Sequence, residues 1–125
     1  MQKPMESVEM GNRCRLDIYD KSVKMAADRW KVRLVAQLVV PVDERFFVDG
    51  LEMPASLEEL RLSMGSEIVF EMVKERVFVD DRDRAAVFEA LQDTFKKDSM
   101  PYLARNTFPG KYLIKCYREK VTDRP

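Results

Sequence analysis

Five consecutive charged residues, Asp80, Asp81, Arg82, Asp83 and Arg84, form the most concentrated set of potential ligands in the chain. Asp81 and Asp83, one residue apart, could clamp a hard dication such as Mg²⁺ through carboxylate oxygens. Such a site also needs a phosphate or further carboxylates, and Arg82 and Arg84 would repel the cation. Downstream, Val87, Phe88, Leu91 and Phe95 fall on one stripe of a helix turning about 100° per residue. The cluster therefore reads as a helix start. Asp80 or Asp81 would cap the free backbone N–H groups. Asp83 near the first turn and Lys96 and Lys97 in the last suit the helix dipole. No metal is expected.

Other candidate chemistry is sparse. Glu58 with Glu59, or Glu71 with Glu75, could do acid–base work, but each pair is read as a solvated face. Cys14 is flanked by Arg13 and Arg15, which could lower a thiol pKa. In a strand those arginines point away from it, while Leu16 and Ile18 share its face. Cys116 lies on an apolar stripe. Both cysteines are read as buried, inert thiols. The chain has no histidine, which removes Ser-His-Asp and Cys-His nucleophilic sites, His-dependent zinc sites and the usual near-neutral proton shuttle. Two distant cysteines cannot build a Cys₃ or Cys₄ metal site. The four glycines, at 11, 50, 65 and 110, are too scattered to cradle a nucleotide. No cofactor is expected, and the balance leans away from an enzyme.

Two segments interleave basic and aromatic residues in the manner of phosphate-binding, base-stacking surfaces. The first carries Lys24, Arg29, Trp30, Lys31 and Arg33. The second carries Lys111, Tyr112, Lys115, Tyr117 and Arg118. If they met on one face they would make an anion or nucleic-acid surface. The plainer reading is core-facing rings with solvated cations, and a pI near 6.4 sits well below the usual nucleic-acid range.

The elements that position these residues follow from periodicity. Arg13–Asp20 alternates, with Cys14, Leu16 and Ile18 on one face, as a half-buried strand does. After a loop at 21–27, Trp30, Val32, Leu34, Ala36, Leu38, Val40 and Val42 line one face of a second strand. Its other face turns apolar at Val35 and Val39, and a strand apolar on both faces is usually covered on both. Pro41 marks its end or an edge. Ser56 with Glu59 has capping-box spacing and Gly65 suits a C-terminal cap, so a short helix is predicted between them. Glu67–Asp80 reads as a long third strand whose alternation slips near Lys74–Arg76, at a bulge or a tight turn. Pro101 suits the start of a helical turn. Residues 110–121 favour a helix over a strand begun by the Pro109–Gly110 turn.

With 125 residues, 46% apolar and 35% charged, the chain fits one soluble domain. Residues 1–12 are expected as a flexible lead-in, 13–121 as the domain and 122–125 as a frayed tail. Residues 13–42 carry seven Lys or Arg against three Asp or Glu; 43–99 carry eight against fifteen; 100–125 carry six against two. The expected fold is α+β, a small, mainly antiparallel sheet of three or four long strands packed with two or three helices. Short helices would leave one sheet face open, and Val35, Val39, Val69 and Val73 are the candidate dimer face. The expected role is a cytoplasmic, non-catalytic interaction or regulatory module that binds its own copy or another protein. Anion or nucleic-acid binding is the alternative. No run is apolar enough to span a membrane, and no export signal is read at the N-terminus.

Overall fold

Alternating side chains at four places along the chain, and one short run of exposed residues, produce the strands of the computed structural model, which describes residues 2–122. The strands are β1 (Glu6–Glu9), β2 (Arg15–Asp20), β3 (Val23–Ala26), β4 (Arg29–Pro41) and β5 (Glu67–Asp80). The helices are α1 (Leu57–Met64), α2 (Arg84–Asp98), the single turn α3 (Met100–Leu103) and α4 (Phe108–Thr122). The fold is α+β: one antiparallel sheet of five strands with three helices of more than seven residues.

β4 is the axis. Along one edge it pairs with β5 over almost its whole length, from Arg29 opposite Asp80 to Pro41 opposite Glu67. Along the other it pairs first with β3, Lys31 opposite Val23, and then with β2, from Leu34 opposite Asp20 to Val39 opposite Arg15. β2 and β3 thus act as one interrupted strand. The interruption is stitched to β4 by the Lys21 N–H to the Arg33 carbonyl at 2.9 Å and the Arg33 N–H to Ser22 Oγ at 3.0 Å. The segment expected as a loop at 21–27 therefore contains a strand. Residues 6–9, within the expected lead-in, add a strand on the outer edge of β2. Of the expected tail, Thr122 closes α4 and residues 123–125 lie outside the described residues.

The core lies on one face of the sheet. Leu16, Ile18, Val32, Leu34, Ala36, Leu38 and Val40 meet Leu60, Phe88, Leu91, Phe95, Leu103 and Leu113 from the helices. Ser56 Oγ accepts the Glu59 N–H at 3.2 Å at the start of α1, and Gly65, at φ 85°, closes it with its N–H on the Arg61 carbonyl. The expected stripe of α2 is present, with Phe88, Leu91 and Phe95 buried. Segment 110–121 is helical because Leu113 faces this core while Lys111, Lys115 and Arg118 face solvent. Gly110 is required there: a Cβ would overlap the Phe46 carbonyl oxygen and approach Leu51 Cδ1 to 2.9 Å. Asn12, buried in the β1–β2 turn, donates to the carbonyls of Leu103 at 2.8 Å and Arg105 at 3.0 Å, tying the sheet to the α3–α4 connection.

The slip in β5 is a bulge, not a turn, and falls later than the sequence pattern places it. Val32 opposes Arg76 and Trp30 opposes Val79, so Val77 and Phe78 share one partner position. Phe78 adopts φ 56°, a conformation that a bulky side chain rarely takes. Nearer the start of β5, the Tyr112 hydroxyl donates to the Val69 carbonyl at 3.1 Å.

Candidate functional site

The Asp80–Arg84 cluster is occupied by structural work. Asp80 Oδ1 accepts the Arg82 N–H at 3.1 Å, capping a 3₁₀ turn at Asp81–Asp83 that runs into α2. Its other oxygen takes Arg29 Nη1 at 2.8 Å. The Arg82 N–H first, and then Arg29, hold the Asp80 carboxyl below its ordinary pKa. Asp81 accepts Trp30 Nε1 at 2.6 Å, and Arg84 lies 3.8 Å over the indole ring. Among the described residues no three His, Cys, Asp or Glu side chains converge as metal ligands.

The first basic–aromatic segment is consumed in the same way. Arg29 pairs with Asp80, and Trp30 lies under Arg84. Lys31 Nζ and Arg33 Nε lie 3.9 and 3.6 Å from Glu75 Oε2. The Arg33 contact is too long for a hydrogen bond, and its buried Nε has no other partner. Lys24 projects from β3, exposed. The second segment sits on α4, near the opposite end of β4: Tyr112 is in ring contact with Phe70, whose partner is Leu38. From Trp30 to Leu38 β4 runs eight residues, about 26 Å at 3.3 Å per residue. The two segments therefore do not converge. Tyr117 donates to Glu59 Oε1 at 3.4 Å across the α1–α4 contact. Lys111, Lys115 and Arg118 are exposed.

The valine positions do converge. In the strand register Val39 lies between Arg15 and Val69, Gln37 between Asp17 and Glu71, and Val35 between Tyr19 and Val73. These rows form the sheet face opposite the helices. Val35 and Val39 are buried, at 2% and 8% exposure, yet they stand apart from the core cluster. Val69 and Val73, on the outer strand, remain 44% and 38% exposed. A polar row crosses the middle: Ser7 Oγ donates to Asp17 at 2.7 Å, Arg15 Nε to the same carboxylate at 3.1 Å, and Gln37 to Glu71 at 2.9 Å. Sequence alternation shows Tyr19, Arg15 and Asp17 opposite the core but not that they flank the valines, because register is a long-range property.

Neither cysteine is poised for chemistry. Burial pushes the Cys14 thiol up to about 11. Burial also raises Cys116, which shares a hydrogen bond with Tyr112. Burial first, and then Cys116, raise the Tyr112 phenol. The two cysteines are unbridged. No helix among the described residues is long and apolar enough to cross a membrane. The chain matches no protein-family model, no curated protein and no solved structure.

Proposed function

We propose that the chain is a non-catalytic interaction module that pairs with a second copy of itself through the sheet face bearing Val35, Val39, Val69 and Val73. One observation carries the reading: four valines, in two rows separated by the polar Asp17–Gln37–Glu71 row, lie on the face away from the buried helix residues, and the outer two keep 44% and 38% of their surface in water. Exposed apolar patches of this kind commonly mark interfaces.

A second copy is favoured over an unlike partner by charge. Arg15, Lys31 and Arg33 on this face are balanced by Asp17, Glu71 and Glu75. With Glu9 opposite Arg15 and Glu67 opposite Pro41 the face carries both signs with carboxylates in excess, and a two-fold contact can set the cations of one copy against the carboxylates of the other. The footprint is also adequate. β4 has 13 residues, so three strands side by side cover roughly 43 by 14 Å, about 600 Å². That approaches the roughly 800 Å² per partner of a standard interface. Two unbridged cysteines fit a reducing, cytoplasmic setting.

Sedimentation at micromolar concentration tests the proposal. The expected result is a species twice the 14.7 kDa chain mass. The Val69→Glu/Val73→Glu double variant, altered at exposed positions, keeps its circular dichroism and sediments at the single-chain mass. A wild type that sediments as one chain at about 100 μM, or a double variant that still pairs, removes the reading.

A further inference from the structure

The cations of this molecule are unevenly paired. On the sheet Arg15 pairs with Asp17, Arg29 with Asp80, and Lys31 and Arg33 with Glu75, while Lys24, Lys74 and Arg76 make no ion pair among the described residues; on and before α2, Arg82 pairs with Asp80, Arg84 with Asp20 and Lys96 with Glu6. From Met100 to Thr122, five Lys or Arg stand against the single Glu119. Among the described residues none of those five makes an ion pair within 4.0 Å. Lys111, Lys115 and Arg118 fall at i, i+4 and i+7 on α4, one exposed ridge about 10 Å long.

Beside this ridge is an aromatic hollow of about 150 Å³, lined by Phe70, Tyr102, Phe108 and Tyr112 and rimmed by Lys111 and Lys115. Phe70 meets Phe108 at 5.2 Å and Tyr112 at 5.1 Å edge-on, and Tyr102 meets Phe108 at 5.2 Å. The outer ring, Tyr102, is 51% exposed, with the Arg105 guanidinium 5.3 Å from its centroid. An exposed ring set among unpaired cations is the arrangement by which proteins hold an unpaired base and its phosphates together.

We propose that this surface binds single-stranded nucleic acid, with a base stacked on Tyr102 at the mouth of the hollow and phosphates along Lys111, Lys115 and Arg118. A bare basic ridge would suit any anionic surface; the exposed ring at its side singles out a ligand with planar groups between its charges. The phosphate ridge lies on α4 and the stacking ring on α3, on the helix side of the sheet rather than on the valine face proposed for pairing, so each can fail alone.

Fluorescence anisotropy with labelled 20-nucleotide RNA and DNA strands tests it. Binding is expected to weaken as salt rises, with a log–log slope of about −0.7 for each phosphate contacted, so near −2 for three. The Lys111→Ala/Lys115→Ala/Arg118→Ala variant, altered only at exposed positions, loses binding while its circular dichroism is unchanged. Tyr102→Ala keeps every charge and weakens binding roughly five- to a hundredfold. Absence of an anisotropy change at about 50 mM salt overturns the proposal. So does binding indifferent to Tyr102→Ala, or equal retention of the protein on vesicles of anionic phospholipid, since either outcome reduces the ridge to a generic charge contact.

Discussion

Gly110 shows how much a single residue decides. The first turn of α4 passes so close to the Phe46 carbonyl that no side chain fits, and Leu51 closes the other side. A backbone oxygen cannot swing away as a side chain can. Gly110→Ala is therefore expected to destabilise the protein by about 1–3 kcal/mol, the usual cost of overpacking, read from the urea midpoint. Helix propensity alone predicts a gain of about 1 kcal/mol for the same change, so the sign of the shift separates contact from propensity. The residue scale is also where the sequence reading was least complete. Arg33 and Lys115 look alike in the chain, each a cation beside an aromatic or apolar neighbour. Only the β4–β5 register brings Glu75 to Arg33, and nothing acidic comes within ion-pair distance of Lys115 among the described residues.

At the scale of elements, legibility followed the strength of the apolar pattern. β4 and α2 announced themselves because both bury a continuous stripe. β3 did not, because all four of its residues are exposed and its existence depends on β4 alone. β1 hid in a polar segment with only Val8 and Met10 turned toward the core. The bulge was legible as a broken alternation, but its place was set by the Phe78 backbone rather than by side-chain type. The β5–α2 junction was read as a cap, and the cap carries charge. Asp80 has its carboxyl held below the ordinary 3.8. A depressed pKa means that ionisation stabilises the folded form, fully above 3.8 and progressively less as pH falls through the folded value. Asp80→Asn keeps a capping oxygen but no charge. The wild type is expected to resist urea better at neutral pH, and the gap should close in acid below 3.8. A gap that persists there would assign the effect to geometry.

The molecule as a whole is one-sided: helices on one face of the sheet, paired charges and valines on the other. Its pairing is also concentrated. Val35 and Leu38 sit between β2 and β5, while the β3 stretch is flanked by an exposed strand. Hydrogen exchange should report this as slowest amides in the middle of β4 and fastest exchange in β3, because local opening follows burial and pairing. Uniform protection along the interrupted β2–β3 edge would contradict that gradient. β5 has a further bearing on how copies can meet. Along its outer rim the Tyr112 hydroxyl already takes one carbonyl, and the kink at Val77–Phe78 bends the strand out of line. A neighbouring chain finds a template on β5 that is interrupted at Val69 and ends at the bulge. The proposed contact through the valine face leaves this edge unused, and the two interruptions shorten the run of β5 that another strand could extend.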